Sequence, residues 1–278
     1  MNTPLLTVAR ALAWAQARGL ARLDAQLLLL HALGREGANR AWLIAHDNDA
    51  MDAAQQHQFE ALCTRRGRGE PLAYLVGHKE FHGLPLRVDA RVLVPRPDTE
   101  TLVDWALECA EGMDSPRIID LGTGSGAIAL ALAHRRPDAR VEAVDRSAEA
   151  LAVAAENALA LGLRLPLRQA SWLDGAAGDW NLILSNPPYI AEGDPHLPDL
   201  VHEPRSALVS GADGLDDIRL IVAQAPRHLA PGGWLLLEHG FDQAEAVRVL
   251  LREAGLVQVH SRRDLAGVER CSGGQRPA

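Results

Sequence analysis

The chain has 278 residues, of which 47% are hydrophobic, and its formal net charge at pH 7 is −8. That length accommodates one large and one small domain, whereas the acidic balance argues against a protein that grips DNA through a basic surface. No stretch of about 18 residues is apolar and free of charge, so we expect no membrane span. The segment Met1–Pro4 has no basic region ahead of an apolar stretch, so we expect no signal peptide.

The cysteines and histidines indicate neither disulfides nor a metal. Cys63, Cys109 and Cys271 are odd in number and far apart, which favours reduced thiols and a cytoplasmic location. The 11 histidines form no cluster with cysteine at the spacing of metal ligands, so we expect no metal site.

Residues 1–73 are rich in alanine and leucine and poor in β-branched residues, which predicts a small all-α domain. We expect two helices within residues 5–33, the second beginning with Asp24 as its N-cap. The sequence Gly-Arg-Glu-Gly at residues 34–37 should interrupt the helical pattern.

Two further helices are expected in the same domain, over Asn39–His46 and Asp52–Arg66. Asp52 is followed three residues later by Gln55, the spacing at which an N-cap side chain and a glutamine satisfy each other's backbone N–H groups. We therefore expect a capping box at the start of the last helix.

Residues 74–94 have a different character, with Gly83 and Pro85 between short apolar pieces. This pattern predicts a β-hairpin, which we interpret as the linker between the two domains. A helix then begins at Pro97 or Asp98 and runs through Leu107, because proline is well tolerated in the first helical turn.

Residues 95–278 form the second predicted domain, in which strands and helices alternate. That order predicts an α/β fold with a doubly wound, mostly parallel sheet. The expected strands are Arg117–Leu121, Arg140–Val144, Leu165–Gln169, Asn181–Ser185, Gly233–Glu238 and a closing pair, Leu256–Ser261 and Val268–Cys271. The expected helices are Ser125–His134, Ala148–Leu161, Asp216–Leu229 and Gln243–Ala254.

A glycine-rich turn joins the first of these strands to its helix. Gly122, Gly124 and Ala127 fit the dinucleotide pattern G-x-G-x-x-G/A, which alone is ambiguous. Asp120 within the turn would repel a pyrophosphate but suits a cationic amino group, so we disfavour a nicotinamide cofactor. Asp145 ends the second strand, where a carboxylate can accept hydrogen bonds from a ribose.

The tetrapeptide Asn186-Pro187-Pro188-Tyr189 follows a largely apolar strand. Two prolines cannot continue a central strand, and ligands bind beyond the carboxyl ends of strands in open α/β sheets. The tetrapeptide therefore marks a candidate reaction site.

Together these segments resemble the HemK family, the glutamine methyltransferases of peptide chain release factors. The resemblance covers nearly the whole chain, and its most specific parts are the segment 94–100, Val-Pro-Arg-Pro-Asp-Thr-Glu, and the tetrapeptide at 186–189. Further matches are residues 120–126, Asp145, residues 202–208 and residues 263–267.

The resemblance implies a class I S-adenosylmethionine-dependent methyltransferase, Rossmann-like with a seven-stranded sheet, whose N-terminal helical domain recognises the substrate. It implies methylation of the glutamine side-chain amide in the GGQ motif of release factors. The cofactor would be held by Asp120, Gly122, Thr123, Gly124, Ser125, Gly126, Asp145, Trp172 and Asn186. Trp172 falls at the adenine side, although an ordinary core position also explains this tryptophan. We expect a monomer that does not bind nucleic acid directly.

The chemistry of amide methylation suits the tetrapeptide. An amide nitrogen is a poor nucleophile, because its lone pair is delocalised into the carbonyl group. The side-chain oxygen of Asn186 and the backbone carbonyl of Pro187 can accept the two amide hydrogens and orient that lone pair. Tyr189 offers a flat face for the amide, and Pro188 completes the substrate-binding loop. Arg96 would line the substrate pocket, although a purely structural role explains it equally well.

Three alternatives remain open from the sequence. The same tetrapeptide would serve an adenine amino group in DNA, but such enzymes need phosphate-gripping surfaces and base flipping. A glutamine methyltransferase of a ribosomal protein is the closer alternative. A non-catalytic protein that binds the cofactor or a partner is disfavoured by the intact Asn186 and Tyr189.

The C-terminal residues Gly273-Gly274-Gln275 repeat the tripeptide that release factors present for methylation. Small-residue tails produce such triplets by chance, and termini are often disordered. We therefore expect no self-methylation.

Overall fold

The computed structural model describes residues 6–35 and 39–278. The expectations for Met1–Pro4, for Leu5 and for part of the break at residues 34–37 lie outside these residues. The chain divides into two compact units, the first ending at His78 and the second beginning at Lys79. No helix in the described residues is both long enough and apolar enough to cross a bilayer.

The first unit is all-α, as predicted. Its described residues form the helices α1 (Val8–Gln16), α2 (Arg22–Ala32), α3 (Arg40–Ala45), α4 (Ala53–Arg66) and α5 (Leu72–Val76). They enclose a core that includes Leu28, Leu29, Met51 and Phe59, each at most 1% exposed. The short helix α5 was not predicted.

Of the two capping predictions for this unit, one is confirmed and the other is wrong. The capping box between Asp52 and Gln55 is present, since Gln55 N donates to Asp52 Oδ1 at 2.8 Å and Asp52 N to Gln55 Oε1 at 2.9 Å. The prediction that Asp24 is an N-cap was wrong, because α2 begins two residues earlier after Ala21. Asp24 instead accepts a 2.7 Å hydrogen bond from Nε of Arg66 and so ties α2 to α4.

The predicted hairpin is present as β1 (His78–Phe81) and β2 (Leu84–Arg87). Our interpretation of residues 74–94 as the linker between the two domains stays a prediction. Within this segment, Phe81, Leu84 and Leu86 are buried in the core of the second unit. A turn of 3-10 helix over Pro97–Thr99 then leads into α6 (Glu100–Cys109).

The second unit contains a seven-stranded, mostly parallel sheet, as predicted, with the order β5-β4-β3-β6-β7-β9-β8. Only the pairs that involve β9 are antiparallel. The strands are β3 (Arg117–Leu121), β4 (Arg140–Asp145), β5 (Leu167–Gln169), β6 (Trp180–Ser185), β7 (Leu229–Glu238), β8 (Val257–Arg263) and β9 (Glu269–Gln275).

Alternate residues of each strand point to opposite sides of the sheet. Apolar side chains therefore lie on both faces, and helices cover both of them. They are α7 (Ala127–Arg135), α8 (Ala148–Leu161), α9 (Asp216–Gln224) and α10 (Ala244–Glu253), in addition to α6. Ile118 and Leu182 join one core with α6 and α7, whereas Ile119 and Ile183 join the other with α9 and α10.

The predicted helix starts and ends differ in two places with a local cause. The helix expected from Ser125 begins at Ala127, because Gly126 at φ +85° adopts a left-handed conformation. The helix expected to reach Leu229 ends as α9 at Gln224, where Pro226 follows in a 3-10 turn.

The C-terminal tripeptide lies inside the sheet, so its expected disorder was wrong. Gly273 and Gly274 pair with Leu236 and Leu235 of β7. A Cβ atom at Gly273 would lie 2.6 Å from Cδ2 of Leu236 and 2.9 Å from the backbone oxygen of Leu235, so a larger residue would force its neighbours to move.

Candidate active site

The candidate site lies beyond the carboxyl ends of β3, β4 and β6. The strand order reverses on the two sides of β3, which creates the crevice where doubly wound sheets bind ligands. A cleft of about 1180 Å³, its open mouth included, occupies this position. Among the predicted site residues, those that line it are Arg96, Gly122, Thr123, Gly124, Ser125, Asp145, Trp172, Asn186 and Pro188.

The glycine turn is tied to the neighbouring strand by three hydrogen bonds. Gly122 N and Thr123 N both donate to the carbonyl oxygen of Val144, at 2.8 and 2.9 Å. Gly124 N donates to Oδ2 of Asp145 at 2.9 Å, and the other carboxylate oxygen accepts from Ser147 N at 2.9 Å. The Asp145 carboxylate therefore holds the glycine turn in place at the end of β4. Asp145 also lines the cleft.

The glycines in this turn meet different surroundings. Gly122, at φ +70°, lies under the ring of Trp172, and a Cβ atom there would be 3.1 Å from Cζ3. Gly124, at φ +55°, has nothing within 4 Å of the same position. The turn is thus packed against protein on one side and open to the cleft on the other, as a cradle for a ligand requires.

Asp120 is fully buried beneath the turn and is not among the residues that line the cleft. Its Oδ2 accepts a 2.6 Å hydrogen bond from the hydroxyl of Thr123, whereas Oδ1 has no partner among the described residues. Burial raises the pKa of Asp120 to about 7, and the Thr123 hydrogen bond opposes that rise. Asp120 therefore contacts Thr123, which lines the cleft, but does not line the cleft itself.

Trp172 has features of both roles considered for it. Its side chain belongs to the core cluster beside α9, and the residue is 8% exposed. The same residue lines the cleft and has a left-handed backbone, with φ +48°. Such a conformation is costly for a residue with a Cβ atom. Core packing thus holds an indole at the wall of the cleft.

The tetrapeptide begins one residue after β6 ends at Ser185. Pro187 and Pro188 are buried, and Asn186 and Tyr189 are partly buried. Nδ2 of Asn186 donates to Oγ1 of Thr99 at 3.1 Å, and the hydroxyl of Tyr189 donates to Oε1 of Glu238 at 3.3 Å. Each polar side chain of the tetrapeptide is therefore held by a different element.

The backbone after the tetrapeptide is also fixed. Nε2 of Gln243 donates to the carbonyl oxygen of Tyr189 at 3.0 Å. Gly214 approaches that carbonyl so closely that an added Cβ atom would lie 2.2 Å from its oxygen. Tyr189 is therefore anchored at both its backbone and its hydroxyl.

A smaller, mainly apolar cavity also adjoins the tetrapeptide. Its wall contains Tyr189 together with Leu93, Ile190, Leu200, Ala207 and Leu208. Asn186 and Arg96 line both this cavity and the larger cleft. Asn186 therefore stands where two cavities meet, which is the geometry that a transfer between two bound molecules needs.

Arg96 forms an ion pair with Glu203, with NH2 and Oε1 2.5 Å apart. The Glu203 side chain is 3% exposed, and its second oxygen accepts a 3.0 Å hydrogen bond from Val94 N. Arg96 thus has a structural partner and also lines both cavities.

Sequence reasoning gave no roles to four residues that support this site. Three of them are Thr99, Glu203 and Glu238, which contact Asn186, Arg96 and Tyr189 respectively. Asn157 on α8 accepts from Arg87 N at 2.7 Å and donates to the Ser125 carbonyl at 2.9 Å, so it ties β2 to the glycine turn. A local signal existed only for Thr99 and Glu203, which lie within the family-like segments at 94–100 and 202–208.

Known proteins are similar to this chain over most of its length. The chain matches the PrmC N-terminal domain over residues 6–77 and the Methyltransferase small domain over residues 104–259. The release factor glutamine methyltransferase of Bordetella pertussis is 52% identical over 260 residues, which cover 92% of this chain and 95% of the relative. The protein of the same name from Xylella fastidiosa strain Temecula1 is 50% identical over 271 residues, which cover 96% and 98%.

A solved structure shows the same fold. The methyltransferase from Pyrococcus furiosus matches with a TM-score of 0.52 and 18% identity, over 70% of this chain and 90% of that one.

Proposed function

Because the chain belongs to the family of release factor glutamine methyltransferases, we propose that it methylates the glutamine side-chain amide in the GGQ motif of a peptide chain release factor. The methyl donor is S-adenosylmethionine, as in the methyltransferase family that the second unit matches. The observation that carries the proposal is the position of Asn186 in the walls of both cavities.

The larger cleft suits the methyl donor, which supplies an electrophilic methyl group on a sulfonium when bound. The open space above Gly124 lets a ligand approach the turn closely. The Asp145 carboxylate would accept hydrogen bonds from the ribose hydroxyls, and the Trp172 indole would border the base. The negative charges of Asp145 and, when ionised, Asp120 favour a cationic ligand over a pyrophosphate.

The acceptor amide would enter from the smaller cavity. Since Nδ2 of Asn186 is used by Thr99, its Oδ1 is the atom left to accept a hydrogen from the substrate. Pro187 lies beyond the last paired residue of β6, so its backbone carbonyl can accept the second hydrogen. Two fixed acceptors would hold the nitrogen with its lone pair toward the cleft and stabilise positive charge that develops on it.

Tyr189 and Arg96 would complete the substrate site. The Tyr189 ring lines the smaller cavity and offers the amide a flat, partly buried surface. Burial beside the Glu238 carboxyl raises the pKa of the Tyr189 phenol above its usual range, so this hydroxyl stays protonated and acts as a donor. Arg96 lies at the junction of the cavities, where it would contact the backbone of the substrate loop.

The proposal also includes the location, the oligomeric state and the binding partners of the enzyme. Release factors act in the cytoplasm, where we place this enzyme as a monomer. The net charge of −8 makes nucleic acid a poor partner. A planar amine on a ribosomal protein or on DNA would fit the same acceptors, so these substrates serve as comparisons in the test.

The test is a transfer assay with labelled S-adenosylmethionine and three substrates side by side: a release factor, ribosomal proteins and plasmid DNA. We expect label in the release factor alone. Equal label in the DNA or in a ribosomal protein would refute the proposed substrate.

A further inference from the structure

A buried carboxyl group lies behind the tetrapeptide. Glu238 ends β7, one residue after Leu237, which pairs with Ser185 at the end of β6. Glu238 is 1% exposed, and its Oε1 accepts the hydroxyl hydrogen of Tyr189 at 3.3 Å. Its Oε2 has no hydrogen-bond partner within the described part of the chain. A buried carboxyl with spare acceptor capacity is expensive to keep and needs an explanation.

Thr99 connects this carboxyl group to Asn186. Thr99 is 4% exposed, and its Oγ1 accepts the hydrogen bond from Nδ2 of Asn186. A hydroxyl has a single hydrogen to donate, and hydrogen bonding by the Thr99 hydroxyl lowers the pKa of the Glu238 carboxyl. The direction of donation therefore runs from Asn186 to Thr99 and from Thr99 towards Glu238.

We propose that Glu238 is a positioning residue that sets the orientation of the Asn186 amide through Thr99 and the orientation of the Tyr189 ring through its hydroxyl. This inference rests on the proposed function. As an acceptor, Glu238 draws the Thr99 hydrogen to itself and leaves a lone pair of Oγ1 for Asn186 Nδ2. The amide oxygen of Asn186 then faces the substrate, whereas the flipped amide would offer the substrate a donor in place of an acceptor.

The ionised form of Glu238 suits this role best, because a carboxylate accepts from both hydroxyls without competing as a donor. Burial raises the pKa of Glu238 to about 7, and the two hydroxyls oppose that rise. Protonation near neutral pH would therefore weaken the arrangement. The other titratable or charged groups around it are Asp98 before α6, Tyr189 after β6, His239 next in the chain, Arg270 and Cys271 on β9, and Arg96, which acts on Tyr189.

The sign of the pH dependence follows from these assignments. Lowering the pH through about 7 adds a proton to Glu238, so kcat at saturating donor and substrate should fall on the acidic side. The pKa of His239 is lowered by burial and that of Cys271 is raised well above its usual range, so both stay neutral there. Asp120 also titrates near 7, but it lies beneath the glycine turn, so the donor Kd is measured separately at each pH.

The experiment compares Glu238→Gln with the intact enzyme, using a release factor as substrate. Glutamine keeps the size of glutamate but offers hydrogens to one of the two hydroxyls, so we expect kcat to fall on the order of tenfold or more, in line with the sensitivity of rates to misplaced groups. We expect the donor Kd to change less than about twofold and the acidic limb of the kcat profile to vanish. Glu245→Gln on α10 is the matched control, because Glu245 is exposed and pairs only with arginines.

Variants at Thr99 test the relay without touching Glu238. Thr99→Val removes the hydroxyl at nearly constant size and should lower kcat about as much as Glu238→Gln. Thr99→Ser restores the hydroxyl and should recover most of that loss. A role in packing alone predicts the reverse order, because valine preserves the shape of threonine better than serine does.

The outcomes separate this inference from the proposed function. An intact enzyme that binds the donor but labels no release factor refutes the proposed function. An active enzyme whose Glu238→Gln variant keeps both its kcat and its acidic limb overturns the positioning role. If Glu238→Gln fails to fold, the Thr99 pair and the pH profile of the intact enzyme decide, and equal rates for Thr99→Val and Thr99→Ser count against it.

Discussion

The backbone N–H of Gly124 donates to the carboxylate of Asp145 across 2.9 Å, so the open glycine of the turn and the acid at the end of β4 form one unit. Gly122, two residues earlier, is instead pressed against the ring of Trp172. The two glycines therefore have different functions within one turn, and substitution separates them.

Replacing each glycine by alanine should give different losses. Both sites have a positive φ, which costs an alanine on the order of 1–2 kcal/mol. At Gly124 we expect only this strain together with weaker donor binding, since the added methyl group points into open space. At Gly122 the methyl group also meets Trp172, so the melting temperature should fall further. Thermal unfolding and donor titration measure both effects, and equal melting temperatures for the two variants would contradict the contact with Trp172.

Asp120 should make stability depend on pH in a direction opposite to that of an ordinary surface carboxylate. Its pKa rises from 3.8 to about 7 because of burial, so the folded state holds the proton more tightly than the unfolded state. Stability from this group is then highest at low pH and declines as the pH rises from about 4 to about 7. Asp120→Asn should remove a penalty on the order of 4 kcal/mol at pH 8 and little at pH 4.

The measurement is the difference in melting temperature between Asp120→Asn and the intact protein across that range. Asp138→Asn is the control, because Arg136 lowers the pKa of Asp138 to about 2, so its contribution changes with the opposite sign and only below about pH 4, outside the range in which Asp120 titrates. Stability from Asp138 is lost as the pH falls towards that value. A gain for Asp120→Asn that does not grow with pH would show that the carboxyl is not buried as described.

The ion pair between Arg96 and Glu203 should affect both the stability of the protein and the binding of substrate. Removing the guanidinium leaves a carboxylate that is 3% exposed and whose remaining hydrogen-bond partner, among the residues that the structure describes, is the N–H of Val94. Breaking a buried pair costs about 3–5 kcal/mol, and partial exposure of Arg96 reduces this to about 1–3 kcal/mol. We expect Arg96→Met to lower stability by that amount and to raise KM for the release factor.

Arg219→Met provides the comparison for Arg96→Met. Arg219 has similar exposure but pairs with Asp213 and Asp216, whose side chains are 51% and 62% exposed, and surface pairs of this kind contribute little to stability. Denaturant unfolding followed by the same probe gives both values. Equal losses would mean that the burial of Glu203 carries no energetic weight.

Gln275 should remain unmethylated although it completes a GGQ tripeptide. Its Nε2 donates to the carbonyl of Gly232 at 2.8 Å, and its Oε1 accepts from Gln258 at 2.7 Å, so both polar atoms of the amide are held by neighbouring residues. Releasing it would break the pairing of β9 with β7 and β8. Mass spectrometry after incubation with the donor should find this residue unmodified, and a methyl group on it would refute the argument.

Local patterns allowed the sequence to predict much of this fold. The strand Arg117–Leu121 and the helix Ala148–Leu161 have the predicted bounds, because a short apolar run and an alanine-rich run are each flanked by clear breaks. The capping box at Asp52 is equally local. The N-cap prediction for Asp24 was wrong, because its carboxylate forms a tertiary ion pair with Arg66 and does not cap the helix.

The supporting contacts of the site were beyond such patterns. Thr99 lies 87 residues from Asn186, and Tyr189 lies 49 residues from Glu238. Nothing in a local sequence specifies a hydrogen bond between positions so far apart. The fold of the whole unit brings these residues together. The sequence therefore predicted nine residues that line the larger cleft, whereas Asp120, Gly126 and Pro187 line neither cavity. Which of these residues take part in the reaction stays a prediction, and the residues that hold them needed the structure.

The central claim is tested most directly with Asn186→Ala, by mass spectrometry of the GGQ-containing peptide of a release factor after incubation with enzyme and S-adenosylmethionine. Removing a preorganised polar group costs about 100-fold or more in kcat, whereas the donor cleft keeps its other walls. We therefore expect the intact enzyme to add one methyl group to the glutamine and Asn186→Ala to add almost none while its donor Kd stays nearly unchanged. Full methylation by Asn186→Ala, or a methyl group on any residue other than that glutamine, would contradict the account.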